Sequence, residues 1–141
     1  MARFQTDGLD DLIEDLKSLG ETTGELADKM LLAGAEEVKQ AWRRAAKLHN
    51  LIDTGDMFNS IGYSRKPKMV SDIKMIDIYP QGTDRKGIRN AEKAFILNYG
   101  GSNQKKRPAT HWIDTADDLS AEPVEKAMRE VYENHMKERN L

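Results

Sequence analysis

The sequence has no cysteine among its 141 residues, and this absence excludes several kinds of chemistry. Disulfides, thiolate metal sites and a cysteine nucleophile all require the missing side chain. No run approaches the ~18 consecutive apolar residues of a membrane-spanning helix. No apolar segment typical of secretory signals follows the opening Met-Ala-Arg-Phe. We therefore expect a cytoplasmic protein without a membrane partner.

Apolar residues are also limited, at 38% of the chain, whereas charged residues make up 33%. A chain of this length and composition predicts one domain with a modest core. Such a core can be completed by partner subunits.

The net charge of −2 conceals an uneven distribution along the chain. Residues 1–60 carry a net charge of −5, residues 61–113 carry +7, and residues 114–141 carry −4. A basic middle between acidic ends is compatible with solvated surfaces. It is equally compatible with electrostatic complementarity between copies, or with a basic strip that faces nucleic acid.

Apolar residues at helical spacing predict two N-terminal helices. The first covers residues 8–19, with Asp7 as its N-cap and Gly20 as its stop. The second runs from residue 22 or 23 to Leu48, and its small residues form a narrow face that permits close helix packing. Its apolar stripe comprises Leu26, Met30, Ala33, Val38, Ala41, Ala45 and Leu48, with Trp42 beside it.

The middle of the chain changes to turn and strand signals. Thr54-Gly55 ends the long helix, and residues 56–61 predict one helical turn that leads into a strand. Residues 62–70 and 72–79 predict an antiparallel pair. Within it, Pro67 indicates an edge or turn position, because proline has no N–H to donate.

The remaining segments complete an α+β prediction. Polar residues 82–90 predict a loop, and residues 91–99 predict a short helix. We expect another short helix at 112–119, and then a last helix with Pro123 in its first turn and Ser120 near its cap. The predicted fold class is thus α+β, with long N-terminal helices and a C-terminal helix packed on a small antiparallel sheet.

Catalytic and metal-binding patterns are missing. Gly82-x4-Gly87 is followed by Ile88-Arg89, where a phosphate loop needs Lys-Ser/Thr. The acidic residues 114–118 lack the glycine and the spaced oxygens of a calcium loop. None of the three histidines, His49, His111 and His135, has a second histidine or a carboxylate at metal-ligand spacing within a supporting motif. We therefore predict no enzyme activity, no cofactor and no metal.

Residues 95–115, FILNYGGSNQKKRPATHWIDT, contain a flexible, cationic segment framed by aromatic residues. A second basic cluster lies at residues 65–68, close to Tyr63. Basic groups interleaved with aromatic residues are typical of single-strand binders. However, no known nucleic-acid-binding motif is present, and the pI of about 5.9 differs from that of a dedicated binder. A small non-specific nucleic-acid-associated protein remains the alternative interpretation.

Four short motifs follow one another along the chain. The first, Gly8-Leu9-Asp10-Asp11-Leu12, has the form G-L-x-x-L and opens the first predicted helix. The second is Thr54-Gly55-Asp56-Met57 with Ser60-Ile61. The third runs from Ala94 to Gly100, and the fourth is Lys106-Arg107-Pro108-Ala109, which leads to Trp112.

In this order the motifs resemble the neck, or head–tail joining, family of long-tailed bacteriophages, also described as minor tail or tail-completion components. The last three are similar to the family patterns T-G-x-L-x-x-S-I, Y-A-x-x-V-E-x-G-T and R-P-F-x-x-P-A. The chain departs from these patterns at Asp53, Asn98 and Gly101, where proline, glutamate and threonine are usual, and it lacks the last proline. The resemblance covers residues 8–136.

The resemblance implies a structural virion protein, assembled in the bacterial cytoplasm of the host of a phage or prophage. Its single domain, 1–141, would comprise N-terminal helices at 8–50, a sheet and loops at 54–112, and a C-terminal helical segment at 113–138. Copies would form a ring that joins the head connector, or head-closure protein, to the tail tube or tail terminator. The genome would pass through the ring.

In such a ring the cationic segment would reach a neighbouring subunit or touch the passing DNA weakly and without specificity. We therefore predict that the residues of the subunit interface or lumen loop are Gly100, Gly101, Lys105, Lys106, Arg107 and Trp112.

Overall fold

A computed structural model describes residues 2–5, 23–101 and 108–139, which contain four helices and four short strands. This architecture confirms the α+β prediction, and the predicted helix at 8–19 lies outside the described residues. In chain order the elements are β1 (Ala2–Gln5), α1 (Thr23–Leu48), α2 (Asp56–Ser60), β2 (Ile61–Gly62), β3 (Lys68–Val70), β4 (Ile73–Pro80), α3 (Asn90–Tyr99) and α4 (Trp112–Glu138).

The long helices α1 and α4 pack side by side in antiparallel orientation and form most of the core. At one level the Trp42 and Trp112 rings meet edge to face, with their centroids 5.1 Å apart. At another level Gly34 faces Met128, and a Cβ added to Gly34 would lie only 2.7 Å from Met128 Cε. The glycine therefore permits the close helix packing that the small residues of α1 predict.

The buried face of α1 is wider than its predicted stripe. Leu31, Ala35 and Ala46 lie outside that stripe, yet each is fully buried. The reason is that α1 packs against β4 as well as against α4. Leu48, at the end of the predicted stripe, is 63% exposed, so it is not part of this buried face.

The C-terminal segment is one continuous helix from Trp112 to Glu138, so the prediction of two helices is wrong. Pro123 lies inside the helix, and the Ser120 hydroxyl donates to the Asp117 carbonyl instead of capping a helix start. An interior proline costs ~3 kcal/mol or more. Packing along α1 offsets this cost through a face of buried residues at every fourth position, Trp112, Ala116, Ser120, Val124 and Met128.

β4 lies at the centre of the small antiparallel sheet. β1 pairs along one edge, with Gln5 opposite Met75, and this strand was not predicted. Along the other edge β3 pairs near the start of β4 and β2 pairs near its end. The predicted pairing of 62–70 with 72–79 is thus confirmed only in part, because residues 63–67, which include Pro67, belong to no strand.

Side chains on alternate positions of β4 face α1. Ile76 and Ile78 are buried in the core, and Lys74 on the same face bonds to the Asp28 carboxylate and the Gly24 carbonyl of α1. The predicted helical turn and short helix are confirmed as α2 and α3, which lie near the end of β4. None of the described helices is long and apolar enough to cross a membrane.

Candidate assembly surfaces

Helix α3 has the reverse of the usual amphipathic arrangement. Its buried positions hold small or polar residues, Asn90, Ala94 and Asn98. Of its large apolar residues, Leu97 packs against the core, whereas the other three face outward, with Phe95 at 44% exposure, Ile96 at 39% and Tyr99 at 63%. A surface helix of a self-sufficient domain normally turns its apolar stripe toward the core. The outward residues Phe95, Ile96 and Tyr99 are called the α3 patch below.

The inward side of α3 holds its neighbours by hydrogen bonds. The Asn90 amide donates to the Gln81 carbonyl at 2.9 Å, and the Ala94 carbonyl accepts the Trp112 indole N–H at 3.2 Å. Asn98 Oδ1 accepts the Ile113 N–H at 2.9 Å, although the asparagine itself is fully buried. Small and polar residues are therefore required on this side for close approach and bonding.

Further hydrogen bonds hold together the two ends of the cationic segment, which joins α3 to α4. The Leu97 carbonyl accepts both the Thr110 N–H, at 3.0 Å, and the Thr110 hydroxyl, at 2.7 Å. The Asn98 carbonyl accepts the His111 N–H at 3.1 Å. The chain thus leaves α3 and returns to α4 at one place, beside the α3 patch.

The predicted site residues occupy different environments. Gly100 ends α3 with a φ of 88°, in the left-handed region that favours glycine, and its N–H donates to the Ile96 carbonyl. Gly101 is half-buried, whereas Lys105, Lys106 and Arg107 lie outside the described residues. Trp112 has no exposed surface, so its side chain supports the segment from within the core.

A cleft of about 690 Å³ lies on one side of α3, between residues 50–58 and the loop at 84–88. The Thr54-Gly55-Asp56-Met57 motif forms one wall. Ile52, Ile88 and Ile96 line it, and each is more than a third exposed. A second hollow, of about 430 Å³, lies on the other side, beside Phe95. α3 thus projects between two hollows that also carry apolar surface.

Ion pairs fix the walls of the larger cleft. Arg85 binds Asp56 through Nε and Nη2, both at 2.9 Å, and its backbone N–H donates to the same carboxylate. These bonds hold the pKa of Asp56 well below its usual range. Asp84 pairs with Lys93, which is the main reason that its pKa is lowered. Carboxylates held in this way are structural, because they are ionised and already bonded to cations.

The residues that favour the nucleic-acid interpretation are only partly available on the surface. Lys68 pairs with Asp77, and the Tyr63 hydroxyl donates to Glu36 at 2.7 Å. Burial and this bond raise the pKa of Tyr63 to about 12. Arg65 and Lys66 are exposed. No group of three His, Asp or Glu residues in the described ranges could hold a metal ion.

Sequence reasoning missed the α3 patch and the role of Asn98. The signal for the patch was present, because three consecutive apolar residues, Phe95, Ile96 and Leu97, cannot all face inward on one helix. The bond from Asn98 to Ile113 gives no sequence signal, because neither residue forms a motif with the other.

Comparison with known proteins identifies one family to which the chain is similar. No curated protein and no solved structure gives a significant match to the chain. The model of one protein family does match, over residues 10–100, and its description is "Bacteriophage HK97-gp10, putative tail-component". The match spans the Thr54-Gly55 motif, the cleft and the whole of α3. The chain therefore belongs to the HK97-gp10-like family of bacteriophage tail components, which are structural proteins of the virion.

Proposed function

We propose that this tail component is a neck or tail-completion subunit, which assembles as a ring and joins the head connector to the tail. In this role it contributes shape and contact surface and catalyses no reaction. Its partners are other copies of itself, the head-closure side of the neck, and the tail tube or tail terminator. Passing DNA makes only weak, non-specific contact.

The observation that carries this proposal is the α3 patch. An exposed apolar surface with a polar rim marks a site of protein contact. Here Phe95 and Tyr99 support each other, with ring centroids 5.4 Å apart, and charged residues such as Arg89 and Glu92 surround them. Aromatic residues in such settings supply much of the energy of protein interfaces.

The cationic segment supports the same proposal through its position. Its two ends are held beside the α3 patch, so Gly100 and Gly101 lie where a partner that covers the patch would meet them. We place Lys105, Lys106 and Arg107 at the same contact or at the lumen, where they would meet a neighbouring subunit or DNA. Trp112 contributes indirectly, by holding the segment to the core.

The test is complementation of a phage or prophage from which the gene is deleted. We expect the deletion to leave heads and tails unjoined in electron micrographs, and the wild-type gene to restore complete particles. The variant Phe95→Asp/Tyr99→Asp should fold but fail to restore them, because buried carboxylates oppose docking. Met69→Asp is the matched control, since Met69 is 58% exposed on β3, which pairs with the start of β4, whereas α3 lies near the end of β4.

Two outcomes would contradict the proposal. One is normal joining of heads and tails in the deletion strain. The other is full complementation by the Phe95→Asp/Tyr99→Asp variant. If instead the purified protein binds DNA with an affinity that falls steeply with salt, and particles form without it, the nucleic-acid interpretation is favoured.

A further inference from the structure

One side of the α1–α4 pair carries a row of cations. Lys39, Arg43 and Lys47 follow one another at intervals of four residues, so they form one line along α1, called the basic line. None of the three forms an ion pair with another described residue. Arg43 and Lys47 lie 5.4 and 5.6 Å from the centre of the Phe58 ring.

The basic line has few acceptors within its own subunit. The nearest carboxylate along α1 before the basic line is Glu37, and the one before it is Glu36. The Glu36 carboxylate already accepts hydrogen bonds from Tyr63 and Gln40. Arg43 Nε is buried and has no acceptor among the described residues. The charges of Lys39 and Arg43 contribute to lowering the pKa of Glu36, but no described carboxylate forms an ion pair with the basic line.

The other side of the pair carries a row of carboxylates. Asp114, Asp118 and Glu122 also follow at intervals of four residues, near the start of α4, and form the acidic line. Residues 112–125 contain no lysine or arginine. This stretch of α4, nearly four helical turns long, therefore brings no strong cation of its own.

The carboxylates of α4 repel one another. The pKa of Asp117 is raised, first by its burial and then by the charges of Asp114 and Asp118. In the described part of the chain, the one ion-pair partner of Asp114 is His111, whose Nδ1 lies 3.3 Å away.

The two lines face away from each other. Arg43 is nine residues after Gly34, or two and a half turns, and Gly34 faces Met128 of α4. The basic line therefore lies on the side of α1 opposite to α4. Asp118 is two residues from the fully buried Ala116, which places it on the side of α4 away from the core.

Both lines lie at the same height along the helix pair. Two contacts mark this stretch, Gly34 with Met128 and His49 with Thr115, the latter at 2.9 Å. Between these contacts α1 carries the whole basic line and α4 carries Asp118 and Glu122, while Asp114 is one residue beyond Thr115. Copies placed side by side would thus bring opposite charges together without a displacement of one copy along the helix axis of the next. A closed ring requires contacts of this kind.

We propose that the basic line of one copy docks against the acidic line of the next copy. The inference rests on the proposed ring and names the surfaces by which its subunits meet. The contact is head-to-tail, because each copy offers a different side to each neighbour. Complementary rows of charge would set the register of the subunits and speed their association. DNA is the competing occupant of the basic line, but it would leave the acidic line unexplained.

The test uses charge reversal in three variants. The basic-line variant is Lys39→Glu/Lys47→Glu, the acidic-line variant is Asp114→Lys/Asp118→Lys, and the swapped variant carries all four changes. Lys137→Glu/Arg139→Glu is the matched control, since both residues are exposed at the C-terminal end of α4, about four turns beyond Glu122. Thermal melting of each protein checks that it folds.

We expect each single-line variant to enter virions about tenfold or more poorly than wild type in the complementation assay, because like charges then meet at every contact. The swapped variant should recover, since its lines are again complementary. The control should enter virions like wild type. Cross-linking of the purified proteins at high concentration and low salt should follow the same order, independently of any role in joining heads to tails.

Normal incorporation and cross-linking of the single-line variants would overturn the inference. A swapped variant that melts normally and still fails to recover would also overturn it. Loss of DNA binding in the basic-line variant, with normal incorporation of the acidic-line variant, would assign the basic line to DNA. Joining of heads and tails without the protein would refute the proposed function alone, and the cross-linking result would still decide the subunit contact.

Discussion

The α1–α4 pair and the short helix α3 distribute apolar residues in opposite ways. In the pair, the large side chains Trp42, Trp112 and Met128 are buried, and charged residues face outward. In α3, Ala94 is buried while Phe95 faces outward. The pair gains its stability within one subunit. The outer side of α3 leaves much of its apolar surface exposed after folding, which is why we assign it to contacts between proteins.

Substitution of Trp112 should have the largest effect on stability. We expect Trp112→Ala to lower the free energy of unfolding by about 3–5 kcal/mol, as is usual for a buried tryptophan. The change removes the contact with Trp42 and the hydrogen bond to the Ala94 carbonyl. Urea unfolding measures the effect. Tyr99→Ala is the contrasting variant, expected to change stability by less than about 1 kcal/mol because the ring is 63% exposed.

An equal loss of stability in the two variants would break the comparison between the regions. In that case the outward residues of α3 would contribute to the fold of the single subunit. The α3 patch would then no longer be assigned as a surface for contact with another protein.

The sequence predicted the helix pair better than it predicted α3. The apolar periodicity of α1 continues over seven turns, so it indicated both the helix and its end near Leu48. In α4, Pro123 pointed to a helix start, but packing against α1 along the whole helix was stronger than this local preference. Such an override depends on tertiary contacts, which no local pattern reports.

For α3, the sequence predicted the helix but not its orientation. The usual rule turns the apolar side inward, and here Asn98 takes that place because it bonds to Ile113. β1 was missed for a related reason. It has only four residues, and Gln5 pairs with Met75, which is far away in the sequence. Long-range contacts decide both features.

Asn98 tests the inward side of α3, with an intermediate effect. We expect Asn98→Ala to lower the free energy of unfolding by about 1–3 kcal/mol, because the buried Ile113 N–H loses its acceptor. Hydrogen exchange of the Thr110 and His111 amides should also accelerate, since Asn98 holds this end of the cationic segment. Asn134→Ala, on the exposed side of α4, should change stability by less than about 0.5 kcal/mol.

Unchanged exchange at Thr110 and His111 in Asn98→Ala would show that the segment is held without Asn98. The hydrogen bond of Asn98 on the inward side of α3 would then not be needed to hold the segment. Only the outward apolar residues would distinguish α3 from the helix pair.

The smallest expected effect concerns a polar contact on the outer side of α1, between Tyr63 and Glu36. Tyr63→Phe should cost about 1 kcal/mol near neutral pH, because it removes one half-exposed hydrogen bond. The pKa of Tyr63 is raised to about 12 in the folded protein, so its contribution is complete below the usual value of 10.0 and is lost as the pH rises through 12. The pKa of Glu36 is lowered, mainly by the same bond, so its contribution is lost as the pH falls below 4.5.

The difference in stability between wild type and Tyr63→Phe should therefore be largest near neutral pH and shrink towards both extremes. Urea unfolding at about pH 3, 7 and 11 measures it. Tyr132→Phe is the matched control, since the Tyr132 hydroxyl forms no hydrogen bond within the described residues. A difference that does not vary with pH would mean that Tyr63 stabilises the helix pair by packing. In that case the outer side of α1 would be stabilised by packing, as its inner side is, in spite of its charged residues.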